Sequence, residues 1–89
     1  MADENYLDLA NAIITQAVKD YRRALVKRAL NPESRSAEYE VKSIEQFFYS
    51  EYYLMLTDLD PRYLIQRIRE ETERKIEEGM DAYKLDLLE

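Results

Sequence analysis

The chain has 89 residues, of which 46% are hydrophobic and 36% charged, and a net charge of −6. These values are typical of one small globular domain and disfavour electrostatic attraction to nucleic acid or to an anionic membrane. Cysteine and histidine are both absent, which excludes disulfides, thiolate or imidazole metal sites and catalysis by a histidine base.

The first predicted element is a long amphipathic helix from about Asn5 to Arg28. Acidic residues near its start and basic residues near its end suit the helix dipole. Apolar residues recur at a helical spacing of three to four positions along it. The inward stripe is Tyr6, Ala10, Ile13, Ala17, Tyr21 and Ala24, widened by Leu7, Ile14, Val18 and Leu25.

A second helix is predicted after the break at residues 31–34, ending at about Tyr49. Either Asn31 caps a helix that begins at Pro32, or Ser34 caps one that begins slightly later. Its predicted buried stripe is Ala37, Val41, Ile44 and Phe48, with Phe47 beside it. Ser50 then interrupts the run and is expected to cap a short third helix, residues 51 to about 56.

The last predicted helix begins at Pro61, with Asp60 as its N-cap, and ends at Gly79. Its predicted inward residues are Leu64, Ile65, Ile68, Thr72 and Ile76. Opposite charges four residues apart predict helix-surface pairs, namely Glu70 with Arg74, Glu71 with Lys75, and Arg74 with Glu78.

These elements predict an all-α fold, a small three- to four-helix bundle that forms a single domain over residues 1–89. Its core is expected over about 5–71, and 72–89 reads as a helical extension and tail. Within that tail, 80–89 either adds a helical turn around Tyr83, Leu87 and Leu88 or frays. No apolar run reaches the roughly 18 residues of a membrane span, and the acidic N-terminus is unlike a signal peptide, so a cytoplasmic location is expected.

Tyrosine is the most informative residue type for binding, with eight in the chain. Tyr49, Tyr52 and Tyr53 cluster with Glu51, and tyrosine suits recognition surfaces because it combines a large ring with a polar tip. The alternative is that these rings only close the edge of the core. The acidic last helix, through Glu70, Glu73 and Glu77, is a second candidate surface for a partner, or it only keeps the protein soluble.

Three other patterns have simpler interpretations. Asp58 and Asp60 lie two residues apart, but a calcium loop needs more oxygen ligands and a glycine, so Asp60 is expected to cap a helix. The basic residues Lys19, Arg22, Arg23 and Lys27 form either a phosphate-binding face or a solvated helix end. No pattern indicates a catalytic residue, a metal or a cofactor.

The order of certain segments resembles a family of short all-helical proteins of phages and conjugative elements in Gram-positive bacteria. The segments are 11–25, 31–32, 44–50, 56–60, 64–65 and 69–71, so the likeness covers about residues 6–71. The family has no assigned activity, and its members tend to stop soon after the position of Arg69-Glu70-Glu71. The segment 72–89 therefore departs from the family pattern.

The resemblance implies an accessory protein of a mobile element in a host bacterial cell. The leading hypothesis is a non-catalytic module that binds a host or mobile-element protein, with anti-CRISPR-like inhibition of a defence nuclease as one form of it. A small DNA-binding or transcriptional regulator is the first alternative. A homo-oligomeric structural or assembly component is the second.

Overall fold

The computed structural model describes residues 2–79, with side chains from residue 5 onward. Over this range the chain forms four helices: α1 (Ala2–Leu30), α2 (Arg35–Phe48), α3 (Glu51–Leu56) and α4 (Pro61–Glu78). The predicted small all-α bundle is therefore confirmed, and no strand occurs in the described part. The expected turn around Tyr83, Leu87 and Leu88 lies outside it. None of the described helices has the length and apolar character needed to cross a bilayer.

Short polar side chains set the helix boundaries. Ser34 is the N-cap of α2 and accepts a hydrogen bond from the Ala37 amide at 3.1 Å, which decides between the two predicted starts in favour of the later one. Ser50 caps α3 in the same way. Asp60 caps α4, where its Oδ1 accepts from the Arg62 amide at 2.9 Å. These contacts satisfy backbone N–H groups that have no partner within the helix.

The three longer helices, α1, α2 and α4, alternate in direction. α2 runs back along α1, since Lys27 near the end of α1 pairs with Glu40 early in α2, while Tyr21 lies against Phe48 at the end of α2. α4 returns parallel to α1, and Arg69 donates to the Tyr21 hydroxyl at 2.9 Å. The short α3 lies beside the first turns of α1.

The core lies where α1, α2 and α4 meet, closed at one end by α3. Its buried members are Tyr21, Ala24, Leu25, Val41, Phe48, Tyr53, Ile65 and Ile68. The Phe48 ring is at its centre, with ring centroids 5.6 Å from Tyr21 and 5.8 Å from Tyr53, both edge to face. This geometry is favourable for aromatic quadrupoles.

Two expectations differ from the structure. The first turns of α1 are exposed, with Tyr6 at 47% and Leu7 at 57%, because α1 is longer than the helices that pack against it. In α4, Glu71 pairs with Arg67 at 3.2 Å rather than with Lys75, and Glu70 accepts a hydrogen bond from the Gln66 side chain rather than pairing with Arg74.

Candidate protein-binding surface

The predicted tyrosine cluster is divided between the core and the surface. Tyr49 is 57% exposed and Tyr52 is 50% exposed. Tyr53, by contrast, is completely buried, and its hydroxyl donates to the Leu59 carbonyl at 2.9 Å. The assignment of Tyr53 to a partner-binding surface was therefore wrong. α3 has only six residues, and Tyr53 is the one that it turns into the core.

Helix α3 positions the exposed part of the cluster. The Ser50 hydroxyl donates to the Phe47 carbonyl at 2.6 Å and accepts from the Tyr53 amide at 3.2 Å, so it fixes the corner between α2 and α3. With Tyr53 turned inward, Leu54 is 60% and Met55 is 69% exposed. Sequence reasoning did not select these two residues, although a six-residue helix of almost entirely apolar composition cannot bury every side chain.

The first turns of α1 extend this apolar area. The Tyr6 hydroxyl donates to the Met55 carbonyl at 2.8 Å, which ties the start of α1 to the end of α3. We call the exposed apolar area at this end of the bundle the α3 surface. It consists of Tyr6, Tyr49, Tyr52, Leu54 and Met55. Exposed apolar residues concentrated in one area mark interaction sites more often than scattered ones do.

The acidic candidates do not form one site with these residues. Glu51 is exposed and precedes Tyr52 in the chain, so it adjoins the α3 surface. Glu73 instead lines a groove of about 400 Å³ beside Leu25 and Ile76, near the opposite end of α1.

The two remaining acidic candidates also lie on α4. Glu70 accepts a hydrogen bond from the Gln66 side-chain amide at 3.0 Å. Glu77 is exposed one turn beyond Glu73. The predicted acidic residues of α4 thus belong to a surface separate from Tyr49, Glu51 and Tyr52.

A polar network at the edge of the core was not predicted. The Tyr21 hydroxyl donates to Glu45 Oε2 at 2.5 Å and accepts from Arg69 Nε at 2.9 Å, while Arg69 also forms an ion pair with Glu45. Nothing in the local sequence indicates this contact, since its members come from three helices and are separated by at least 24 positions.

The network shifts the pKa of each member. Burial, followed by the hydrogen bond to Glu45, raises the pKa of Tyr21 to about 12. Burial alone would raise the pKa of Glu45, but hydrogen bonds from Tyr21 and Arg69 and the charge of Arg69 outweigh it and lower that pKa. Hydrogen bonds to Tyr21 and Glu45 raise the pKa of Arg69. Because Tyr21 is completely buried and its partners lie on α2 and α4, this arrangement joins three helices at the edge of the core.

Several basic side chains form ion pairs within the bundle. Lys27 pairs with Glu40 at 3.0 Å, and Arg28 pairs with Glu38 at 3.4 Å. One member of the predicted basic face of α1, Lys27, is therefore paired with an acidic side chain of α2. Asp60 serves as a helix cap, and no group of three or more acidic ligands that could hold a metal ion occurs among residues 2–79.

Comparison of the chain with protein-family models, with curated proteins and with solved structures finds no significant match.

Proposed function

We propose that this chain is a non-catalytic protein-binding module and that the α3 surface is its docking site. The observation that carries the proposal is the composition of that surface: three tyrosines, a leucine and a methionine, each exposed by 47% or more, on and beside one short helix. Protein interfaces are enriched in tyrosine and methionine at their centres and depleted in charged residues there.

The rigidity of the α3 surface supports the same function. α3 is capped by Ser50, anchored by the buried Tyr53 ring and tied to α1 through Tyr6. The backbone of α3 is therefore held in place before a partner arrives, which reduces the entropy lost on binding. Tyr52 also packs on Phe47, with ring centroids 6.1 Å apart.

The proposed setting is the cytoplasm of a Gram-positive host, where the chain acts as an accessory protein of a phage or other mobile element. This part of the proposal depends on the resemblance of residues 6–71. An inhibitor of a host defence nuclease is the form of protein binding that we propose for that setting.

The proposal is tested by affinity capture from a host lysate, followed by dissociation constants for the captured protein. Tyr52→Ala is expected to weaken binding roughly tenfold or more, as loss of an aromatic anchor does at other interfaces. Its melting temperature should stay close to that of the parent, since the Tyr52 ring is half exposed.

Tyr63→Ala is the matched control. Tyr63 is also a half-exposed tyrosine, 56% accessible, but it lies on α4 beside Gln66, Arg67 and Glu70. Binding should be unchanged in this variant. Failure of the wild-type chain to capture any protein, or equal capture by the Tyr52→Ala variant, would contradict the proposal.

A further inference from the structure

Charged residues are unevenly distributed about the α3 surface. Residues 5–18 and 43–61, which contain this surface, carry five acidic side chains and no lysine or arginine. By contrast, residues 19–42 carry seven basic and four acidic side chains, and residues 62–79 carry five of each. The net negative charge of residues 5–79 therefore comes from the two segments that contain the α3 surface.

The fold brings these two segments to one end of the bundle. α2 runs antiparallel to α1, so the second half of α2 lies beside the first half of α1. The hydrogen bond from Tyr6 to Met55 joins α1 to α3 at the same end. Of the eleven large hydrophobic residues that are exposed among residues 5–79, eight lie at positions 6–9 and 49–59. An exposed apolar area and an excess of carboxylates therefore coincide.

Three of the five carboxylates have no basic partner among the described residues. Asp8, Glu51 and Asp58 are exposed, and none of them forms an ion pair within residues 5–79. Each lies within three residues of a member of the α3 surface, since Asp8 follows Tyr6, Glu51 precedes Tyr52 and Asp58 follows Met55. We call these three carboxylates the acidic rim.

The nearest basic side chains are paired elsewhere or lie far away. Arg62 pairs with Asp60 at 3.7 Å, and Arg67 pairs with Glu71 at 3.2 Å, one turn farther along α4. On α2, Lys42 pairs at 3.8 Å with the glutamate four residues before it, which is farther from α3. On α1 no basic side chain occurs before residue 19, about 20 Å along the helix from residue 6 at 1.5 Å per residue. The acidic rim is therefore not balanced by basic residues of the described chain.

Charge complementarity indicates which partner fits this surface. Interfaces place apolar side chains at the centre and polar ones at the rim. Opposite charges across the rim speed association, and like charges reject a partner. A second copy bound about a two-fold axis would bring the same carboxylates together. A protein whose apolar contact residues are flanked by lysine or arginine complements both the rings and the acidic rim.

We propose that the α3 surface binds a basic surface of a partner protein. The apolar centre of that surface packs on Tyr52 and Met55, and its lysine or arginine side chains lie opposite Glu51 and Asp58. This inference rests on the proposed docking role of the α3 surface and specifies the chemistry of the partner. The aromatic contacts supply most of the affinity, and the acidic rim supplies selectivity and a faster association.

The test uses the full chain and three short synthetic peptides. The first has a central tryptophan and two leucines between lysines. The second replaces every lysine by glutamate, and the third keeps the lysines and replaces the three apolar residues by serine. Amide chemical shifts of the isotopically labelled protein are followed during titration with each peptide. Saturable shifts at residues 6–9 and 49–58 are expected with the first peptide alone.

Dissociation constants at about 50 and about 300 mM salt separate the contribution of the acidic rim from that of the rings. The parent should bind the first peptide more weakly at the higher salt, because ions screen the rim charges. Tyr52→Ala should weaken binding roughly tenfold at both salt concentrations. Glu51→Lys combined with Asp58→Lys should weaken it roughly tenfold at the lower salt and much less at the higher.

Glu33→Lys combined with Glu77→Lys is the matched control. Both residues are exposed, lie in the α1–α2 connection and near the end of α4, and form no ion pair within residues 5–79. The control makes the same change in net charge, and binding should match that of the parent. Should the Glu51→Lys change unfold α3, Asp58→Lys alone is compared with Glu33→Lys alone.

Several results would overturn the inference. They are equal binding of the acidic peptide, equal binding of the serine peptide, an equal loss of affinity in the control variant, and absence of peptide binding. Concentration-dependent sedimentation of the protein alone, abolished by Tyr52→Ala, would identify a second copy as the occupant. If the peptides fail while Tyr52-dependent capture succeeds, the basic-partner inference falls and the docking role of the α3 surface remains. If both fail, both proposals fall.

Discussion

At the scale of single residues, Tyr21 belongs both to the hydrophobic core and to the polar network at its edge. Its ring packs edge to face on Phe48 in the core, and its hydroxyl lies between Glu45 and Arg69 at the edge of that core. Each of these charged residues remains partly exposed, with side-chain accessibilities of 24% and 43%. Tyr21 therefore joins a hydrophobic cluster to an ion pair that water still reaches.

The raised pKa of Tyr21 predicts a loss of stability at high pH. The pKa is about 12 in the folded chain and 10.0 for an unperturbed tyrosine. The free energy of unfolding is therefore unaffected by this group below about pH 10 and falls as the pH rises through about 12. In Tyr21→Phe this fall should be smaller. Some should remain, because burial and the nearby Asp60 also raise the pKa of Tyr53.

Urea unfolding of Tyr21→Phe between pH 7 and pH 12 checks this prediction. At neutral pH the variant should lose about 1–2 kcal/mol, since two hydrogen bonds disappear while the ion pair remains. If the free energy of unfolding of Tyr21→Phe falls with rising pH as much as that of the parent, Tyr21 ionises as readily in the folded chain as in the unfolded one.

Thr72 is a buried residue whose hydroxyl needs a hydrogen bond. It is 2% exposed, and among residues 5–79 its hydroxyl finds no hydrogen-bond partner. Thr72→Val keeps the branched shape and removes that polar atom, so it should raise the free energy of unfolding by about 1–2 kcal/mol. Thr72→Ser is the control, because it keeps the hydroxyl and loses a methyl group. It should be no more stable than the parent in urea unfolding, and a gain in Thr72→Ser equal to that in Thr72→Val would contradict this account.

At the scale of elements, the corner between α2 and α3 depends on one side chain. The Ser50 hydroxyl both donates to Phe47 and accepts from Tyr53. Ser50→Ala should therefore cost about 1 kcal/mol, the usual effect of losing an N-cap. Ser50→Asp retains a capping acceptor and should recover most of that loss. The midpoints of urea unfolding measure both, and an unchanged midpoint for Ser50→Ala would show that the aromatic contacts alone fix the corner.

The helix boundaries were predictable from sequence because their causes are local. Ser50, Asp60 and Gly79 end or begin helices at the predicted positions, since each acts within about four residues of itself. The inward stripe of α4 was predictable for the same reason, and Ile65 and Ile68 are buried as expected.

The features that depend on contacts between distant parts of the chain were not predictable. A helical stripe identifies a face but not how far its partners reach along it, so Tyr6 and Leu7 were placed inward although α2 and α4 leave them uncovered. Likewise the cluster of Tyr49, Tyr52 and Tyr53 gave no indication of which ring turns into the core. That choice follows from the short length of α3 and from the contact of Tyr53 with Leu59.

At the scale of the whole molecule, the chain carries a net charge of −6 and pairs many of its basic side chains with acidic ones. Of the basic residues in the described part, six form ion pairs within the bundle: Lys27, Arg28, Lys42, Arg62, Arg67 and Arg69. Exposed pairs of this kind contribute little to stability. Their larger effect is on recognition, since a paired cation offers less attraction to phosphate than an unpaired one.

This distribution predicts that the chain does not bind duplex DNA near physiological salt. A DNA-binding face must release counterions by placing several cations on phosphates, and its affinity falls steeply as salt increases. Here the chain carries a net charge of −6, and the basic residues at the end of α1 lie beside acidic residues of α2.

Fluorescence anisotropy of a labelled duplex, titrated at about 50 and about 150 mM salt, checks the prediction. The matched variant is Arg22→Gln with Arg23→Gln, which removes cations outside these pairs. Sub-micromolar binding by the parent that weakens with salt and disappears in this double variant would establish a regulator that acts through α1, and the docking role of the α3 surface would then have to be abandoned.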